Sequence, residues 1–310
     1  MAVLKPLPVG RARGATQGWL ALCCLAAGCG NISNQVFAED ANFLAAFPGD
    51  SLALAAPAGS TSADAPELLA LSLAEGTVLN ATLATVLGAT DTIRSGPPAS
   101  REDGARTWGA YEWENVDLSA AMQLTGGTRY DWNLSANASV FASGSHYAGK
   151  TVATGDGTFS WDETARSTES GGTSAGQLEV TYDSREGTDL LVTEERWTPD
   201  PATSEPTDAT FSWTVSVALG DFQFRSSLAQ ATGEPIDALV HTRWIENVGG
   251  RSDAWLTGGS LEAEDVWTQC WDAVGALTYS ADTLGLIEPL VGDGGEAVCA
   301  LHDLAPADRI

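Results

Sequence analysis

The chain has 310 residues, and its 41 Asp and Glu outnumber 15 Lys and Arg to leave a net charge of −26 at pH 7. That balance excludes nucleic acid as a partner, because phosphate contacts need Lys and Arg. The length is enough for one large domain or two small ones with an ample core.

Lys5, Arg11 and Arg13 precede a short apolar stretch running from Trp19 to Leu25. A basic start, an apolar middle and small residues at the end predict a secretory signal. The stretch is too short for a membrane-spanning helix, which needs about 20 apolar residues. Leu25, Ala26, Ala27, Gly28 and Cys29 resemble the lipobox of lipoprotein signal peptides, with Ala26 standing where Leu is usual. The resemblance implies that residues 1–28 are removed and that Cys29 becomes an acylated first residue, a palmitate-type anchor to the membrane. An ordinary cleaved signal is the alternative. Several acyl chains hold firmly where one would not, at about 0.8 kcal/mol per buried methylene. Gly30 replaces the Asp that favours inner-membrane retention in enterobacterial lipoproteins, which implies the outer membrane of the cell envelope. Cleavage would remove three bases and no acid, leaving 12 basic against 41 acidic side chains, a net −29. Solubility accounts for such a charge, and a cation-binding surface is the sharper alternative. No DxDxDG calcium loop occurs.

Residues 29–63 are expected to form a flexible tether, with a short helix near residues 41–47 stopped by Pro48 and a small-residue stretch at 58–63. Residues 64–310 are expected to form a single globular domain. Its helical part spans 64–96: Asp64 can cap, Pro66 suits a first turn, and Glu67 suits a helix N-terminus. Leu68, Leu69, Leu71, Leu73, Val78, Leu79, Leu83, Val86, Leu87 and Ile93 mark wide apolar faces. Gly76 and Gly88 are expected to break this run into two or three pieces, and Pro97 and Pro98 end it.

From about residue 107 the hydrophobic period becomes two. Val116, Leu118, Ala120, Met122 and Leu124 alternate with Asp117, Ser119, Ala121 and Gln123; Tyr130, Trp132 and Leu134 show the same pattern, as do Leu178, Val180 and Tyr182. Phe211, Trp213, Val215, Val217 and Leu219 continue the habit. These are half-buried antiparallel strands, about ten to twelve of them over 107–303. Turn signals lie at Gly126, Gly127, Gly187, Gly249 and Gly250. The expected fold class is α+β, with N-terminal helices packed on the concave face of a large curled antiparallel sheet, a half-barrel. A β-sandwich with a helical end is the alternative.

Few residues point to chemistry. Trp stands beside acids at Trp113, Trp132, Trp161 and Trp197, which suits sugar binding or a glycosidase pair. Strand neighbours point to opposite faces, so Trp in the core and acid in water explains the same pattern. The Glu194 and Glu195 pair fails as a dyad for that reason. His241 is expected to face solvent or pack at an edge, and His146 to sit in a Gly/Ser turn. His302 lies near the chain end, and none of the three histidines has a local nucleophile motif. No cofactor and no metal site is implied. Arg94, Arg101 and Arg106 gather where helix gives way to sheet. They are candidate contacts for an anion or partner, the alternative being that Arg106 bonds helix C-terminal carbonyls and local carboxylates. Once Cys23 and Cys24 leave and Cys29 is acylated, Cys270 and Cys299 remain. In an oxidising compartment a disulfide is expected, closing a loop of roughly 30 residues and adding about 3–4 kcal/mol.

Three segments carry a wider resemblance. They are Cys29, Gly30 and Asn31 with Val36 to Asp40; Ile93 and Arg94 through Pro97, Pro98, Arg101 and Arg106 to Gly109; and Gln269, Cys270, Trp271 and Asp272 with Glu296 to Cys299. In that order the chain resembles a group of lipoproteins of the myxobacterial type. The half-barrel it implies is similar in outline to periplasmic lipoprotein carriers, whose cavities hold acyl chains, a likeness of fold only. It carries over no activity and no functional residue. The expectation is a non-enzymatic, lipid-anchored envelope protein acting as a structural or interaction module, with a lipid or an envelope protein as partner and the oligomeric state left open. A carrier of an amphiphile such as a lipid is the alternative, and an enzyme of envelope polysaccharide the third.

Overall fold

The structure is a computed structural model that describes residues 32–49, 52, 54–56, 66–197, 207–228, 234–284, 290–291, 296, 299 and 301. The expected signal 1–28, Cys29, the stretch 58–63, Asp64 and His302 lie outside the described residues. The chain divides into two compact units, 1–41 and 42–310. The described part of the first is the opening of helix α1 (Ile32–Ala45), where the Gln35 amide donates to the Glu39 carboxylate at 3.1 Å.

The second unit is built on one antiparallel sheet, curled but not closed, which together with the helices makes an α+β fold. A single sheet, not a two-sheet sandwich, carries the core. Among the described residues fifteen strands follow one another in sequence order. They are β1 (Ser100–Glu102), β2 (Ala105–Trp113), β3 (Val116–Thr125), β4 (Arg129–Ala136), β5 (Ser139–Ala148), β6 (Gly155–Asp162), β7 (Ala175–Asp183) and β8 (Asp189–Trp197). The rest are β9 (Thr207–Thr214), β10 (Leu219–Leu228), β11 (Ile236–Ile245), β12 (Gly249–Gly258), β13 (Asp265–Asp272), β14 (Leu277–Asp282) and β15 (Leu290–Val291). A short helix, α3 (Glu163–Glu169), leaves β6 with the Asp162 carboxylate accepting from the Ala165 N–H at 2.8 Å.

The strand count exceeds the expected ten to twelve for two reasons. The sheet begins at Ser100, before the alternation is visible. The apolar series from Phe211 to Leu219 is also not one strand. It ends at Thr214, turns through exposed Val215–Val217, and resumes at Leu219 after Ala218 takes a left-handed conformation. Gly249 and Gly250 open β12 and do not form the turn itself.

Helix α2 (Glu67–Arg94) is continuous for 28 residues, without the breaks expected at Gly76 and Gly88. Each glycine costs about 1 kcal/mol of helix propensity. Leu79 and Leu83 on one side of Gly88, and Ile93 on the other, are all buried, so packing carries the helix through. Pro66 stands at its cap, just outside the first turn. The helix packs on β2 and β3 and also on β11 and β12, strands far apart in the sheet order, which only a curled sheet brings to one helix.

The segment 29–63 is not tether throughout. Phe43, Phe47, Leu52 and Leu54 belong to the core. Phe47 meets Trp108 edge-on at 5.5 Å and Phe43 meets Tyr130 at 5.4 Å. Apolar side chains of this size bury about 150–250 Å² each when aromatic, so they anchor rather than trail.

The dry face has a repeated device. One cross-strand row runs His146, Gly157, Tyr182, Leu190, Trp213, Gly220, Trp244, Gly250, Trp271. Each glycine in it lies beneath a neighbouring ring: a Cβ on Gly157 would strike the Tyr182 phenol, one on Gly220 the Trp244 indole, and one on Gly250 the Trp271 indole.

Candidate functional site

Three regions of the second unit are candidates for a site. The first is an ion cluster on the outer face of β10–β13. Cross-strand register places His241 beside Asp253 and Thr268, and Arg243 beside Arg251 and Cys270. Asp253, itself 2 % exposed, accepts from Arg243 Nη2 at 2.9 Å, Arg251 Nε at 2.8 Å and Thr268 Oγ1 at 2.7 Å. Arg251 Nη1 donates to the half-exposed Glu296 at 2.6 Å. The expected disulfide is present: Cys270 and Cys299 are joined with their Cα atoms 5.4 Å apart, both buried. Burial holds the Arg243 guanidinium below its ordinary value. Burial pulls Arg251 the same way, but the hydrogen bonds and charges of Asp253 and Glu296 outweigh it and leave the group raised. Low local dielectric makes such a network stabilising only while every charge has its partner.

His241 belongs to this cluster. It is 1 % exposed, with Nε2 2.9 Å from Asp221, so it is neither solvent-facing nor at an edge. It faces outward as strand parity requires, but β11 is covered on that side too. His146 is likewise not in a turn. It sits on β5, buried, with Nε2 donating to the Val152 carbonyl at 2.7 Å and Nδ1 accepting from the Tyr182 hydroxyl at 3.0 Å. A carbonyl can only accept, which sets this tautomer. Burial lowers the His146 imidazole and pushes the Tyr182 phenol far above its usual range.

The second region is the helix-to-sheet junction. Arg94 pairs with Asp91 at 3.2 Å at the end of α2. Arg101 and Arg106 are register partners across the β1–β2 hairpin. Arg101 reaches the Pro98 carbonyl at 3.4 Å. Arg106 is buried, donates to the carbonyls of Glu102 and Ala105 at 2.8 Å each, and lies 4.8 Å from the Phe43 ring centre. These two carbonyls belong to the hairpin and not to the helix end.

Of the tryptophans beside acids, Trp132 and Trp161 belong to the core and Trp113 packs half-buried against it, while the Trp197 side chain lies outside the described residues. Trp132 and Trp161 are buried, and Trp161 Nε1 donates to Glu163 at 3.1 Å. Glu194 and Glu195 lie on opposite faces, Glu194 buried and Glu195 exposed. Glu194 accepts from Thr82 of α2 at 2.8 Å. Among the described residues no cluster of His, Cys, Asp or Glu could hold a metal ion.

The third region was not legible in the sequence. Beside α2, at strands β9–β11, lies a pocket of about 280 Å³. Phe211, Phe222 and Trp244 form its sheet side, Leu73, Gly76 and Asn80 its helix side, and Leu54 to Ala56 a third wall. Its members come from five separate segments, so no local motif announces it. Two wider grooves, of about 480 and 600 Å³, lie at β4–β9 and share Thr158 and Thr181.

No family model, no curated protein and no solved structure matches this chain.

Proposed function

We propose that the chain is a lipid-anchored lipoprotein of the cell envelope, held by acyl groups on Cys29 in the outer membrane. Its half-barrel serves as a packed structural or interaction module. One observation carries the second half of this reading: α2 is tied to the sheet in fixed register. The Leu68 N–H donates to Gln269 Oε1 at 2.8 Å, the Ser72 and Thr242 hydroxyls lie 2.5 Å apart, and Thr82 donates to Glu194 at 2.8 Å. Buried polar contacts of this kind lose their partners if the helix lifts. They support α2 as the core of the curl and not as a lid over a carrier cavity. The same helix is long and apolar enough to cross a membrane by length and composition, and those three contacts support its place in the soluble fold.

The anchor rests on the Leu25-to-Cys29 segment. With a net charge of −29 the domain stands off anionic lipid, leaving the acyl chains as the link. The test is metabolic labelling with a palmitate analogue, followed by membrane fractionation. The wild type should be labelled and sediment with membranes, and Cys29→Ser should lose the label. Labelling that persists in Cys29→Ser, or a wild type without label, contradicts the reading.

A further inference from the structure

We infer that the pocket beside Gly76 is a binding site for one uncharged, single-chain amphiphile of medium length. This goes beyond the module reading and leaves α2 seated. The first argument is the glycine. In mid-helix it is unfavourable relative to alanine, and close packing does not require it here. Among the described residues, a Cβ at Gly76 would find only Phe222 Cε1, at 3.9 Å, which is ordinary contact distance. Gly157, Gly220 and Gly250 each seat an aromatic ring, whereas Gly76 leaves space.

The second argument is the lining. The chain carries 56 Asp, Glu, Lys and Arg side chains, and among the described residues none of them lines this pocket. Two phenylalanines and a tryptophan form the sheet side, which suits an apolar chain. At about 280 Å³ the space falls just under the 300–1,000 Å³ typical of small-molecule sites. It admits one chain and not the tails of a diacyl lipid. The third argument is the polar group. Asn80 Oδ1 accepts from the Leu54 N–H at 3.0 Å, which fixes the amide and leaves its NH₂ as a donor for an accepting head group. Ser72 and Thr77 are bonded within the fold, to Leu68 and Thr242 and to Leu73 respectively.

The experiment titrates 1-decanol into the full-length chain carrying Cys29→Ser, so that no acyl group of its own competes. Calorimetry over several temperatures reads stoichiometry and heat capacity. One decanol per chain with a negative heat-capacity change is expected. Gly76→Leu fills the space and should weaken binding at least about tenfold with the melting temperature unchanged or higher. Ala55→Phe, filling from the opposite wall, should give the same loss should Gly76→Leu fail to fold. Gly88→Leu makes the same change on the same helix, where no described residue lies within 4 Å of a Cβ, and should bind as the parent does. No saturable binding by the parent, equal binding in the filled variants, or loss in Gly88→Leu overturns the site. Each of those results leaves the anchor and the seated helix untouched.

Discussion

Strands β3 to β7 and strands β11 to β13 belong to one sheet but obey different rules. In the first region one face is dry and the other wet. Val116, Leu118 and Met122 of β3 are buried, while Asp117 and Gln123 between and beside them are exposed. In the second region both faces are covered, and eight consecutive residues of β12 from Gly249 to Leu256 are buried. The polar side chains differ accordingly. On the wet face Arg129 and Asp131 pair at 2.7 Å while still about two-fifths exposed. On the covered face Arg243, Arg251 and Asp253 pair at similar distances while almost wholly out of water. The lesson is that distance does not set the worth of an ion pair; the loss of solvent as an alternative partner does.

The largest effect that would sharpen this contrast is at Asp253. Asp253→Ala leaves two buried guanidiniums without their shared carboxylate and should cost about 3–5 kcal/mol in denaturant unfolding. A loss below about 1 kcal/mol would break the comparison. Next comes the ring-over-glycine row. Gly220→Ala drives a methyl into the Trp244 indole and should cost about 1–3 kcal/mol by overpacking. An unchanged midpoint would show that the ring has room to move.

A smaller, pH-dependent effect belongs to His146. Burial lowers its pKa in the fold below the value of about 6.5 in the unfolded chain. The unfolded chain therefore takes up a proton that the fold refuses as pH drops below about 6.5. Stability is full above that value and falls from there towards the lowered folded value. The wild-type melting temperature should decline over this window, and His146→Gln should decline less. Equal slopes would remove His146 from the account. Smallest of all is Arg129→Ala on the wet face, which should leave the unfolding midpoint where it was, because solvent replaces the lost partner.

The wet-and-dry region is the part a reader of the sequence can see. Val116 to Met122, Tyr130 to Leu134 and Leu178 to Tyr182 alternate in the chain and alternate in the fold. The covered region hides because alternation fails once both faces are buried. Nothing local distinguishes His241 and Asp253 from polar residues facing water. The stretch from Val215 to Val217 misleads for the opposite reason, since three residues that look like strand form a turn with exposed valines. Helix continuity through Gly76 and Gly88 depends on what the helix lies against, which propensity alone does not contain. The Cys270–Cys299 bridge was legible by counting. The pocket was not, because Leu54, Gly76, Phe211 and Trp244 meet only after the sheet curls.

The central claim is that α2 is core and not lid, and native-state hydrogen exchange tests it most directly. The amides of Leu79, Leu83 and Val86 should exchange only through global unfolding, with the same protection as Val180 and Val192 in the middle of the sheet. Exchange of the helix at a much lower opening free energy than those strands would show that it lifts on its own, and would contradict the account.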